Sequence, residues 1–425
     1  MLLRLAALSA FAVASCVHAQ APSPAQTLTL DEAIARVAAT HPDLRLVQLR
    51  REVLDAERQL AGFRPPVTVG ADLSNVAGSG PYAGTRRAEL SVSLAGVLER
   101  GGKLDARRTL AQANLDAAAP QREIARLDLL AETARRYLAI TAAVREREIA
   151  EVDIEQRRRA VEAARRRLEA GASPESSLLT AQAALAQAEL DRDRARQSEQ
   201  AARQHLAALW NDREAQFGTV TGDPLALPEL LDVARLGDLL DRTPELAMLA
   251  GQERVREAQL QLAQTQARAD LQWQVGVRSF AQGSDAALFG GVAMPLGAAA
   301  RAAPVIRSAE LMLRASPAMR QALVIQLYST LAAAHGTYRT AQLEVVRLGE
   351  EVLPRLARAE QAADAAWRRG AISYLEWSQL QSLRIQARQR QLQAGLQAQT
   401  ALIEIQRLTG QSALADTDDT QEPSP

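Results

Sequence analysis

Apolar residues recur along this chain with two periods, one helical and one extended, in a fixed order. A 3-4 spacing runs Leu178, Ala181, Leu185, Ala188, Arg192, Ala195, Glu199, Ala202, Leu206, Leu209. The same spacing gives Trp377, Leu380, Arg384, Ala387, Gln391, Ala394, Ala398, Ala401, Ile405, Leu408. Eight of ten places are apolar in each stripe, and Arg192 and Gln391 interrupt the same slot. A repeat of about 3.5 residues keeps one seam of a helix facing a neighbour, which is coiled-coil packing. The other period is strict alternation. Glu89-Leu90-Ser91-Val92-Ser93-Leu94 puts Leu90, Val92 and Leu94 on one strand face, and the stretch from Leu271 to Arg278 does so for Leu271, Trp273, Val275 and Val277.

The shared phase implies a duplicated chain, and local identities agree. His41-Pro42-Asp43-Leu44 recurs as Thr243-Pro244-Glu245-Leu246, Leu60-Ala61 as Leu262-Ala263, and Gly171-Ala172 as Gly370-Ala371. Each half predicts a first helix (30–62, 236–268) and two extended segments (67–76 with 87–98, 271–280 with 287–296). A very long helix (103–170, 303–369), a glycine turn and a returning helix complete it. At about 1.5 Å rise per residue such a helix spans about 100 Å, a spacer rather than a folded core. The divisions that follow are a signal peptide at 1–19, an N-terminal segment at 20–29, a first repeat at 30–210 and a linker at 211–236. A second repeat at 237–410 and an acidic disordered tail at 411–425 complete the chain.

Composition narrows the class. Hydrophobic residues make up 47% and aromatics only 3%, so alanine and leucine carry the packing, as suits long helices in repeated contact. Formal net charge is zero, which gives no reason to expect nucleic acid. Arg157-Arg158-Arg159 and Arg165-Arg166-Arg167 are flanked by Glu151, Glu155, Glu162 and Glu169, the pattern of a salt-bridged helix surface. Downstream of the leader, no apolar run reaches the roughly 18 residues of a membrane helix, so membrane contact would fall to the strands. The loops at 78–85 and 281–285 suit hairpin tips, and the segment at 287–296 alternates least well. A strand group of this size cannot close alone, since the smallest membrane barrels have about eight strands and lipid does not tolerate open edges. A small soluble sheet is the alternative.

The leader carries two overlapping signals: cleavage before Gln20, after Val17-His18-Ala19, or a lipoprotein box that would leave Cys16 lipidated. Cys16 is the only cysteine, so no disulfide is expected.

Three local stretches, set in this duplicated order, resemble the TolC family of outer-membrane efflux proteins. They are Leu30-Asp31-Glu32-Ala33-Ile34 with His41-Pro42-Asp43-Leu44, the stretch from Leu98 to Arg107 containing Glu99-Arg100-Gly101-Gly102-Lys103, and Leu168-Glu169-Ala170-Gly171-Ala172-Ser173-Pro174-Glu175. The second is similar to the Glu-x-Gly-Gly-Lys-Arg-x-x-Arg stretch of the heavy-metal (cobalt–zinc–cadmium, CzcC-like) branch. The resemblance implies a mainly α protein with a small β part. Its homotrimer would form a periplasmic α-helical barrel below a twelve-stranded outer-membrane β-barrel, four strands coming from each copy. It further implies a passive exit duct in outer-membrane lipid, fed by a periplasmic adaptor and, through it, an inner-membrane RND pump, with heavy-metal cations as cargo. Drug efflux, type I protein secretion, or a periplasmic coiled-coil scaffold without channel activity are the alternatives. The turns Gly171, Ala172, Ser173, Pro174, Glu175 and Gly370, Ala371, Ile372, Ser373, Tyr374 fall at the family's adaptor-docking tip. Glu175 and Glu376 would form entrance rings of negative charge, or simply offset the positive ends of their helices. The four histidines have no metal-ligand spacing and no catalytic constellation is recognisable, so no cofactor, metal or enzymatic activity is expected.

Overall fold

The structure is a computed structural model and describes residues 27–410. The first half contains α1 (Leu30–Thr40), α2 (Pro42–Ala61), β1 (Thr68–Ser74), β2 (Glu89–Leu98), α3 (Lys103–Asp116), α4 (Ala118–Glu169) and α5 (Glu175–Ala207). After α6 (Val233–Leu239), the second half repeats the order. It contains α7 (Pro244–Thr265), β3 (Leu271–Phe280), β4 (Ala286–Ala293), α8 (Ala298–Arg314), α9 (Ser316–Arg347), α10 (Leu353–Arg368) and α11 (Tyr374–Thr409).

Each helix expected to run unbroken into or out of a hairpin is interrupted, and proline accounts for it. Pro42 and Pro244 sit at the first position of α2 and α7, so the predicted helices over 30–62 and 236–268 divide there. Pro120 cannot donate to the Asp116 carbonyl and crowds it, so 103–170 divides into α3 and α4 at Ala117. Pro317 separates α8 from α9 in the same way. Pro354 follows a π-helical turn at Leu348–Val352, where Gln391 Nε2 donates to the Val345 carbonyl at 3.1 Å. The turn has no counterpart in α4, which runs 52 residues, or about 78 Å.

The elements form a layer one helix thick, with the same order at each level. The strands lie β1-β2-β3-β4, all antiparallel; the helices beside them lie α2-α3-α7-α8; the long helices lie α5-α4-α11, followed by α9 and α10. Position in the layer decides burial. α11 lies between α4 and the α9–α10 run and buries Ile385, Leu392 and Leu402 besides its stripe residues Trp377, Ala387, Ala394, Ala398, Ala401, Ile405 and Leu408. At the edge, α5 buries Ala181, Ala188 and Ala195 against α4 and leaves Leu179 and Leu190 exposed.

A thicker belt holds the middle. Tyr137 on α4 and Tyr338 on α9 occupy equivalent places in the two halves, and each pins the connecting segment. The Tyr137 hydroxyl lies 2.8 Å from the Leu28 carbonyl and 2.6 Å from that of Thr221, and accepts from Thr221 N at 3.0 Å. The Tyr338 hydroxyl donates to the Pro228 carbonyl, and burial pushes its pKa up to about 12. Around the two tyrosines lie the largest clusters, Leu28, Val37, Ile140, Leu206 and Phe217 on one side and Leu236, Leu331, Ile405 and Leu408 on the other.

Candidate functional site

Antiparallel pairing puts directly opposed residues on one face, so the register sorts the sheet into two surfaces. One carries Val69 and Leu73 of β1, Leu90, Val92 and Leu94 of β2, Trp273, Val275 and Val277 of β3, and Leu288 and Val292 of β4. It is a continuous apolar band, and Leu288 remains 86% exposed. Its central strands are those whose alternation predicted it. The weakly alternating fourth segment joins in register, with small residues where large partners cover it: Gly290 lies opposite Val275.

The opposite face carries Asp72, Glu89, Ser91, Ser93, Gln274 and Arg278. Arg278 Nε donates to Ser91 Oγ at 3.1 Å and its guanidinium pairs with Glu89 at 3.4 Å, lying 5.3 Å over the Phe289 ring. Gln274 Nε2 lies 3.1 Å from Ser93 Oγ. Apolar on one side and hydrogen-bonded polar on the other is the surface of a barrel wall between lipid and water. Among the described residues both edge strands are unpaired outward, β1 on one side and β4 on the other.

Below the sheet, strand turns into helix within the Glu99-Arg100-Gly101-Gly102-Lys103 stretch. Gly101 and Gly102 both adopt φ +79°, and Gly297 adopts φ +77° at the equivalent turn before α8. Left-handed backbone is where glycine carries no Cβ penalty, which explains the pair. Lys103 Nζ lies 2.7 Å from Asp270, tying the turn of one half to the other, and Arg107 forks onto Glu99.

The two tip turns have the same construction. The Ala172 N–H donates to the Arg167 carbonyl and Gly171 to Leu168; Ala371 donates to Ala366 and Gly370 to Trp367. With Gly171 at φ +69° and Gly370 at φ +79°, both are Schellman caps. Gly171, Ala172, Pro174, Glu175, Gly370, Ala371 and Ser373 are exposed, while Ser173 and Ile372 are half-buried. Tyr374 is 6% exposed and packs edge-on against Trp367 and Trp377, which stack at 4.3 Å. Glu376 is exposed but engaged: its carboxylate accepts from Ser373 N at 2.8 Å while Ser373 Oγ accepts from Glu376 N at 3.2 Å. These bonds to Ser373 hold its carboxyl below the usual range. Glu175 opens α5.

Sequence reasoning missed what joins the turns. Arg167 lies 5.4 Å over the Trp367 ring and donates to the Trp367 carbonyl at 2.5 Å, bracing the first turn against the second. The clue was available, since half of the 4 tryptophans fall at this end of an aromatic-poor chain. Above them Arg157 pairs with Asp153 at 3.1 Å and reaches Ser382 at 3.1 Å, both members of the pair buried. Burial raises the Asp153 pKa despite its partner. Among the arginines expected to be salt-bridged, Arg158 meets Glu155 at 3.0 Å and Arg166 meets Glu162 at 3.5 Å. Among the described residues no group of His, Cys, Asp and Glu could hold a metal ion, and no helix is long and apolar enough to cross a membrane. The leader, with Cys16, and the acidic tail lie outside the described residues.

Comparison with known proteins follows the same lines. Residues 33–212 match the family model for outer membrane efflux proteins. The chain is 27% identical over 315 residues to the cobalt-zinc-cadmium resistance protein CzcC of Cupriavidus metallidurans, covering 74% of this chain and 75% of that one. Among solved structures, a membrane protein from Pseudomonas aeruginosa matches with TM-score 0.75 and 18% identity over 91% of each chain. CusC, described as forming a transmembrane channel, matches with TM-score 0.75 and 17% identity over 91% of this chain and 96% of its own.

Proposed function

We propose that this chain is the passive exit duct of a tripartite efflux system, a reading supported by the match of residues 33–212 to the outer membrane efflux protein model and by a fold similar to that of CusC. One observation carries the reading. A four-stranded panel with an apolar face, a polar face and two unpaired edges is a segment of a barrel wall that is incomplete alone. Identical copies complete it. Three would bring twelve strands, the number the resemblance implies, and the long helices would close beneath them into a water-filled tunnel through the periplasm. The scaffold alternative leaves the apolar face without an environment.

Transport needs no chemistry from the chain. Cargo enters at the tip, diffuses past polar walls such as Arg278, Gln274 and Ser93, and leaves across the outer membrane. The exposed residues of the two tip turns are the surface for a periplasmic adaptor, through which an RND pump delivers cargo. The similarity to CzcC favours heavy-metal cations. Glu175 would then line the entrance as a free carboxylate; Glu376 would add to it only through the outward side of a carboxyl already engaged with Ser373.

Planar-bilayer recording of the purified protein tests this. A large pore, carried by a species that dissociates on heating to one chain length, is expected. A polypeptide that stays soluble without detergent and passes no current would overturn it.

A further inference from the structure

We propose that the periplasmic end of the apolar band holds a binding site for the phosphodiester headgroup of an anionic inner-leaflet phospholipid, formed by Arg100 and Arg301 around Met294 and Leu296. The site rests on the reading of the sheet as a membrane wall.

Arg100 follows Leu98 by two residues, so it continues the outward register of Leu90, Val92 and Leu94 one step below β2. Its guanidinium runs sideways across the layer, with Nη1 3.8 Å from Met294 Sδ beyond the end of β4. Arg301 approaches the same place from α8, its Nη2 donating to the Leu296 carbonyl at 2.9 Å. Two cations therefore bracket a short apolar stretch that water would not favour, since Leu296 is 83% exposed and Met294 is exposed too.

Among the described residues neither guanidinium has a carboxylate within ion-pair distance, although arginine pairs are frequent along the helices below. Asp270 accepts the Arg100 backbone N–H at 3.1 Å, but its carboxylate is held by Lys103. Glu99 is taken by Arg107. A third arginine without an ion pair among the described residues, Arg268, lays its stem against Gly101 beside Arg100, close enough that a Cβ there would meet it at 2.8 Å.

Depth matches this charge. From Leu90 to Leu98 the outward residues of β2 span about 27 Å along the strand, which tilt reduces to about the thickness of a barrel's apolar band. Trp273 lies over Gly96 just above the arginines, where an interfacial aromatic belongs. Below an apolar band and an indole, the next layer of a bilayer is phosphate. Arginine snorkels to that plane with its stem in the acyl region, and a basic residue there is attracted to an anionic headgroup. A lipid phosphate between Arg100 and Arg301, with the start of its acyl chain on Leu296, satisfies both exposed features at once.

The test uses full-length protein reconstituted in phosphatidylcholine nanodiscs with a minority of phosphatidylglycerol, released into native mass spectrometry. The expected result is retention of phosphatidylglycerol over phosphatidylcholine by roughly tenfold. Arg100→Gln with Arg301→Gln abolishes the preference, and Arg100→Lys with Arg301→Lys keeps most of it. Arg278→Gln, on the opposite face, leaves it unchanged. Equal retention of both lipids by the wild type, or undiminished preference in the double glutamine variant, overturns the site while channel current in the same preparation still supports the membrane reading. A wild type that never enters the bilayer removes both.

Discussion

At the scale of single residues, the two ends of the protein depend on backbone that only certain side chains permit. Gly101 and Gly102 share φ +79°, yet a Cβ on Gly102 meets open space whereas one on Gly101 meets the Arg268 stem at 2.8 Å. Gly102→Ala should therefore cost about 1 kcal/mol, the left-handed penalty alone. Gly101→Ala should cost more, and thermal unfolding midpoints of the two variants will rank them. At the tip, Ser373→Ala removes a reciprocal cap and should lower local stability by about 1 kcal/mol, seen as faster amide exchange over residues 374–377. The Glu376 pKa is depressed in the folded protein, so the folded state binds its proton less readily than the unfolded one. Its contribution is present above the unfolded glutamate value and is lost as pH falls through the folded one, so tip exchange should accelerate under acid in the wild type but not in Glu376→Gln. The capping box could be read from Ser373-x-x-Glu376; for the Trp367–Trp377 stack the only clue was two tryptophans at one end of the chain, because contact between helices leaves no local pattern.

Among the elements, the strands are the ones whose side chains must meet two solvents. Leu94 is central in β2, opposed by Val69 and Val275 on the apolar face, while Gln272 of β3 lies on the polar face. Leu94→Arg should destabilise the membrane-inserted form by about 2–4 kcal/mol, and Gln272→Arg by much less. Folding titrations into lipid vesicles measure both. The strands were legible because period-2 alternation is a strong signal where side chains alternate between large apolar and polar. It fails in β4, where Gly290 and Gly291 put no side chain on either face. Helix length was misjudged for a related reason. Helix-forming sequence surrounds Pro120, Pro317 and Pro354 on both sides, whereas the backbone must break or widen where an N–H is missing. Periodicity reports which face is buried, and proline reports whether the helix beneath it is continuous.

On the scale of the whole molecule, the layer's outer edges are unfinished at every level. On α2, which buries no residue, Leu46, Leu49, Val53 and Leu60 are exposed at coiled-coil spacing; on α8 and α9, Val305, Met312 and Met319 are exposed exact heptads apart. The strands beside them, β1 and β4, lack a partner on the same two sides. One edge bears what the other lacks only if copies meet edge to edge in a ring, because a two-fold contact would join like edges and leave the other pair open to lipid. Charge at either apolar stripe should then prevent closure without unfolding the protomer. Val53→Glu and Met312→Glu are each expected to shift detergent-solubilised protein from trimer toward monomer by at least tenfold while far-ultraviolet circular dichroism retains its helical content. Mass photometry reads the distribution. A trimer that survives both substitutions would mean that the helical edges do not meet, and that the strands alone hold the copies together.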